Sequence, residues 1–252
     1  MQMLSKNQSE MSASEWKARC DLAAAFHIAD HFGWTDVLDT HFSVRLPDQP
    51  DAFLMNGYLE TFDEITASKL VKIDMKRNMI AGNSRVNAAG TAIHSGVYSA
   101  RPDINCVMHT HTPNGVSVSL LPDGLRPICQ DALHIYNELS YHSYGVPATD
   151  EEGEALGRSC KAGSCIILQN HGLLALGPTI PATLKRLYKM ERASEIEVKA
   201  RMMGIEPIGI SAEVRQKFSS VMQRVMSSEH YGVPEWEALL RKLKRTNIDY
   251  CV

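Results

Sequence analysis

The sequence predicts an α/β layered domain, and three observations carry that expectation. Short apolar runs of strand character are interspersed with helix-period segments along the whole chain. Two of these runs, INCVMH and CIILQNHG, are apolar, too short for helices, and end at turn-forming residues (TPNG and G). No internal repeat or low-complexity stretch divides the 252 residues, a length that can bury one large core.

The elements follow in order. Residues 1–13 are polar and are expected to form a flexible N-terminus, leaving 14–252 as one domain with C-terminal helices. From Ser14, the spacing of Trp16, Cys20, Ala23, Ala24, Phe26 and His27 predicts an amphipathic helix to about Phe32, stopped by Gly33. HFSVRLP alternates as a strand, DAFLMN reads as a second, and ITASKLVKID as a short helix running into a strand. A helix spans Asn87 to Ala100 and ends before Arg101-Pro102. The strand INCVMH follows, and TPNG opens a helix over VSVSLL. Pro127 to Tyr144 gives no clear period. EEGEALGRSC is helical, SCIILQN and GLLALG are strands, and Ile180 to Met203 is a long helix. Two more helices cover roughly 211–228 and 234–246.

Composition excludes several classes. The chain is 44% apolar and 22% charged, with a net charge of −3, so it shows no nucleic-acid footprint and no acidic tail. No apolar run reaches the ~18 residues a membrane helix needs, and MQMLSKNQSEMSASEW lacks the apolar core of a secretion signal. Six scattered cysteines without a CxxC pair, four of them among apolar neighbours, read as buried free thiols and point to the cytoplasm.

The chemistry concentrates on histidines. In a strand, residues i and i+2 share a face, so His109 and His111 point the same way. His171 ends the other apolar run. Two strands that end in histidines before turns predict a three-histidine metal site at a sheet edge, with an open fourth position. Backbone-bonded strand-end histidines are the plainer alternative. Zn2+ suits three neutral nitrogens best; Fe2+, Mn2+, Co2+ and Ni2+ fit the same donors. His94 sits at apolar helix spacing and reads as structural; His134, Tyr136 and His142 read as packing residues first.

Three segments, AAGTAIHSGVYSARPDINCVMHTHTP, ICQDALHIYNELSYHSYGV and IILQNHGLLALG, resemble the class II aldolase/adducin family, over about Trp16 to Gly204. Within it, AGxxxH and HTHTP are most similar to the adducin head and its bacterial relatives. The resemblance implies a three-layer α/β/α sandwich with a central, mainly antiparallel sheet, assembled as a homotetramer. It also implies zinc on His109, His111 and His171. The glutamate that serves family aldolases as acid/base falls at Gly90, so the catalytic residue here is unknown. His41 stands where those aldolases have a phosphate-binding asparagine, Ala88 and Ala89 replace serines, and Tyr58-Leu59 replaces a threonine-glycine pair. Phosphate needs several converging donors, so a sugar-phosphate substrate is disfavoured. His41, Gln130, Asp131 and Tyr136 remain as candidates for lining a substrate pocket. The implied function is a metal-dependent lyase, decarboxylase or aldolase-type, for a small unphosphorylated hydroxy or oxo acid, with Asp131, Tyr136 or water moving the proton. A non-enzymatic adducin-like oligomer and a non-haem iron oxygenase are the alternatives.

Overall fold

A computed structural model describes residues 11–146, 148–161 and 163–252. One eight-stranded sheet carries helices on both faces. Its strands are β1 (His41–Leu46), β2 (Gln49–Met55), β3 (Val71–Asp74), β4 (Met79–Ala81), β5 (Cys106–Thr110), β6 (Leu139–His142), β7 (Cys165–Leu168) and β8 (Gly172–Gly177). They lie in the order β4-β3-β2-β1-β5-β8-β7-β6. Every pairing is antiparallel except β6 with β7. The expected mainly antiparallel α/β/α arrangement is therefore the observed one.

Strand alternation builds the two outer layers. Phe42 and Val44 of β1, with Cys106 and Met108 of β5, face one core. That core is closed by α1 (Ala13–His31), α6 (Ile180–Met202) and α8 (Val233–Lys244), with α3 (Pro113–Ser119) and α4 (Gln130–Ile135) at its margin. Val107, Ile166 and Leu174 point the other way, into a second core under α2 (Ala88–Ala100) and α5 (Asp150–Ser159). Helix α7 (Ala212–Met226) buries only Met222 fully. Among the described residues, no helix is long and apolar enough to cross a membrane.

Most elements stand where sequence periodicity predicts them. The expected flexible N-terminus falls largely on residues 1–10, outside the described ones; Ser12 already caps α1 by accepting from the Glu15 N–H. No helix forms over ITASKLVKID. A capping box of Thr61 and Glu64 fixes a single 3-10 turn at Phe62–Glu64 instead. The backbone after it is satisfied from elsewhere. The buried Arg19 donates to the carbonyls of Ala67 and Leu70, while the N–H groups of Ala67 and Ser68 donate to the carbonyls of Tyr250 and Val252. With those groups already matched, helix formation has nothing to add there. The edge strands β4 and β6 and the short α4 were not legible from period alone.

The cysteine expectation needs correcting. Cys20 on α1 and Cys251 at the C-terminus form a disulfide with Cα atoms 4.9 Å apart, while Cys106, Cys129, Cys160 and Cys165 are free. The partners are 231 residues apart in sequence and meet because the tail packs beside α1. Cysteine usage therefore no longer argues for a reducing compartment.

Candidate metal centre

His109 is the fourth residue of the central strand β5, and His111 follows just past its end. Thr112 then caps α3, with Pro113 at the first helical position. The turn from β7 into β8 is tight: Asn170 adopts a left-handed φ of 61°, and His171 follows it. Gly172 is demanded by the approach of the two strands. A Cβ there would stand 2.4 Å from the Thr110 carbonyl oxygen and 3.0 Å from Cδ2 of His111.

The three imidazoles converge. Ring centroids are 4.5 Å apart for His109 and His111, and 4.8 Å from each of these to His171. One nitrogen from each lies within 4.8 Å of the others. Outer partners set which nitrogen that is. Nδ1 of His109 donates to the Leu173 carbonyl at 2.8 Å, and Nδ1 of His111 to Asp36 at 3.1 Å. That leaves both Nε2 lone pairs inward, and both atoms are buried without a partner. Buried unmatched acceptors are rare because they lose water for nothing. Two of them, aimed at a third histidine and braced by a carbonyl and a carboxylate, fit a divalent cation.

Electrostatics keep His109 and His171 neutral. Burial, reinforced by the neighbouring imidazoles, holds His109 well below the usual histidine range and pushes His171 down to about 4. Neutral imidazole is the form that ligates metal.

His41 joins this cluster. It pairs with His109 across β1 and β5, with ring centroids 4.9 Å apart. Its Nδ1 is hydrogen-bonded to Nε2 of His94 at 2.8 Å. His94 bonds onward through Nδ1 to Ser43, and Ser43 to the Tyr98 hydroxyl at 2.6 Å. Gly90 lies against His41: a Cβ there would sit 2.6 Å from Cδ2 and 2.8 Å from Nε2 of the ring. The position expected to have lost a glutamate thus has no room for a side chain while His41 is in place.

The other pocket candidates are placed differently. Asp131, in the first turn of α4, forms an ion pair with Lys189 at 2.6 Å. Gln130 is exposed, and Tyr136 is 42% exposed. Helix α4 is capped by Cys129, whose Sγ accepts from the Ala132 N–H. None of the three hydrogen-bonds to the histidine cluster. His142 is satisfied by Glu152 and Ser159, and His134 packs edge-on against Phe218. Tyr250 packs beside His27 of its own chain.

Sequence reasoning missed the supporting roles of Tyr98, Asp36 and Glu191. Gly90, His94 and Tyr98 recur every four residues on one face of α2, a signal that was present. Asp36 lies in a loop without pattern. Glu191 on α6 accepts from Thr110 and Thr112 at 2.6 Å each, bracketing His111 from the sheet's other face. Burial raises the Glu191 pKa to about 7, against the two hydroxyl bonds that lower it. Between pH 4.5 and 7 the unfolded chain ionises this group while the folded chain holds its proton. Stability is thus lost as pH rises through that window, by on the order of 3 kcal/mol. Glu191→Gln in metal-free protein is expected to match the parent at pH 5 and exceed it at pH 8 in urea unfolding. Equal stabilities at both pH values would refute the assignment.

Residues 20–198 match the family profile of the Class II Aldolase and Adducin N-terminal domain. The chain belongs to that family. It is 39% identical to a Pseudomonas aeruginosa protein provisionally named an aldolase class 2 protein, over 96% of this chain and 95% of that one. It is 33% identical to alpha-adducin of Rattus norvegicus over 89% of this chain, but only 32% of the adducin. The crystal structure of an aldolase II superfamily protein from Pseudomonas syringae superposes with a TM-score of 0.93 at 36% identity, covering 98% of this chain and 99% of that one.

Proposed function

We propose that this protein is a metal-dependent lyase, decarboxylase or aldolase-type, for a small unphosphorylated hydroxy or oxo acid. Its metal is held by Nε2 of His109 and His111 together with His171, and Zn2+ is the first choice. The convergence of two buried, unpartnered Nε2 atoms on a third imidazole carries the reading. A divalent ion there would supply a Lewis acid for a carbonyl or carboxylate oxygen. The protein's residues do the rest: Leu173 and Asp36 orient His109 and His111, and burial keeps His109 and His171 neutral.

Elemental analysis of the purified protein, with a screen for CO2 release and C–C cleavage on small hydroxy and keto acids, tests it. Stoichiometric metal with turnover is expected. Metal without turnover across a broad panel would leave the second reading, a non-catalytic adducin-like oligomer, which the identity with alpha-adducin favours. No retro-aldol turnover of fuculose or ribulose phosphates is expected. Carboxylate acid–base catalysis typically contributes about 10²–10⁴-fold, and Gly90 offers no such group.

A homotetrameric, cytoplasmic protein belongs to the same reading. Light scattering at micromolar concentration should give four chains; a monomer would end that part of it.

A further inference from the structure

The hydrogen-bond chain that runs away from the histidine cluster determines which hydrogen His41 presents to it. Tyr98 is 2% exposed, and its hydroxyl has one hydrogen-bond partner among the described residues, Ser43. A buried O–H with one partner donates to it, since the alternative leaves a hydrogen unmatched. Ser43 Oγ accepts that bond, so its own hydrogen goes to its other neighbour, Nδ1 of His94. A neutral imidazole has one N–H. With Nδ1 accepting, His94 carries its hydrogen on Nε2 and donates it to Nδ1 of His41. His41 must then carry its hydrogen on Nε2. That atom has no hydrogen-bond partner of its own and is not among the sealed-off polar atoms. It sits in the space kept open by Gly90, on a ring packed against His109.

We propose that His41 is a fixed hydrogen-bond donor at the wall of the metal centre, not a fourth ligand, and that its Nε2–H binds an oxygen of a substrate carboxylate seated over His109, His111 and His171. The tautomer follows from Tyr98, Ser43 and His94 alone. The carboxylate rests on the functional reading above. A donor at this wall selects an anionic oxygen and rejects a group that offers only a hydrogen. His41 thereby becomes a specificity-determining residue, and His94, Ser43 and Tyr98 position it.

The first test needs neither metal nor substrate. In metal-free protein labelled with ¹⁵N-histidine, two-bond ¹⁵N–¹H correlations distinguish Nε2–H from Nδ1–H rings. His41 and His94, assigned through the His41→Gln and His94→Gln variants, are both expected as Nε2–H. Tyr98→Phe removes the terminal donor and should move part of both populations to Nδ1–H. An Nδ1–H His41 in the unaltered protein overturns the proposal.

The second test uses zinc and oxalate. His41→Leu should weaken oxalate binding to the zinc-loaded protein by about tenfold or more, the scale of one hydrogen bond to a charged group. His41→Gln, which keeps an N–H, should restore most of it. Zinc affinity should stay within about threefold in both, less than even an outer-shell partner gives. A collapse of zinc affinity in His41→Leu would make His41 a ligand and overturn the proposal. Oxalate binding indifferent to His41 would overturn its specificity role. Absence of zinc binding in the unaltered protein would instead overturn the functional reading, with the tautomer still measured by the first test.

Discussion

His109→Ala is expected to abolish stoichiometric metal binding while leaving the fold intact. His109 is the most enclosed of the three histidines, with 0% exposure and an unpartnered Nε2 aimed at the other two. Losing an outer-shell partner typically lowers metal affinity by about 10–100-fold; losing one of three donors should exceed that. Asp36→Asn, which weakens only the brace on His111, is expected to fall inside that range. Competition titration against a chromophoric chelator would rank the two. The metal assignment fails if His109→Ala retains stoichiometric zinc at the parent's affinity. It fails equally if the Asp36 variant proves the more damaging of the pair.

Gly90→Ala is expected to destabilise the protein, against the usual sign of such a change. Gly90 lies in the first turn of α2, where a helix ordinarily gains roughly 0.5–1 kcal/mol from Gly to Ala. Here the new methyl would stand 2.6 Å from Cδ2 of His41 and 2.8 Å from Cε of Met55. The ring is pinned by His94 and cannot yield freely. Overpacking typically costs about 1–3 kcal/mol, and disturbing the His41–His94 bond adds about 1 kcal/mol. The steric term wins. At roughly 2–4 °C per kcal/mol for a chain near this size, the melting temperature should drop by several degrees. The double variant with His41→Ala should lose less than the two singles summed, because the ring that causes the clash is gone. Additive losses, or a stabilised Gly90→Ala, would show that His41 does not fill this space.

Much of this arrangement is legible along the chain. Strand period puts His109 and His111 on one face, and the turn after CIILQN puts His171 at the end of another strand; both are local properties. So is the α/β layering, since each apolar run is long enough for one element and bounded by its own turn residues. The resemblance to family aldolases identifies Gly90 as a loss. It does not reveal that His41 occupies the space beside it, because that depends on β1 pairing with β5 in the register that sets His41 opposite His109.

By itself, then, the sequence determined most kinds of element, the faces they present and the three histidines proposed to hold a metal, all of which depend on spacing within one segment. Only the tertiary structure decided the rest. It joined Cys20 to Cys251, tied Ala67 and Leu70 to Arg19 instead of letting a helix form, and set Glu191 behind Thr110 and Thr112. It also strung Tyr98, Ser43, His94 and His41 into one hydrogen-bond chain. Each of these contacts joins segments far apart in sequence. Their geometry is set by how two cores pack against one sheet, and local periodicity carries no record of strand register or of which helix lies across which strand.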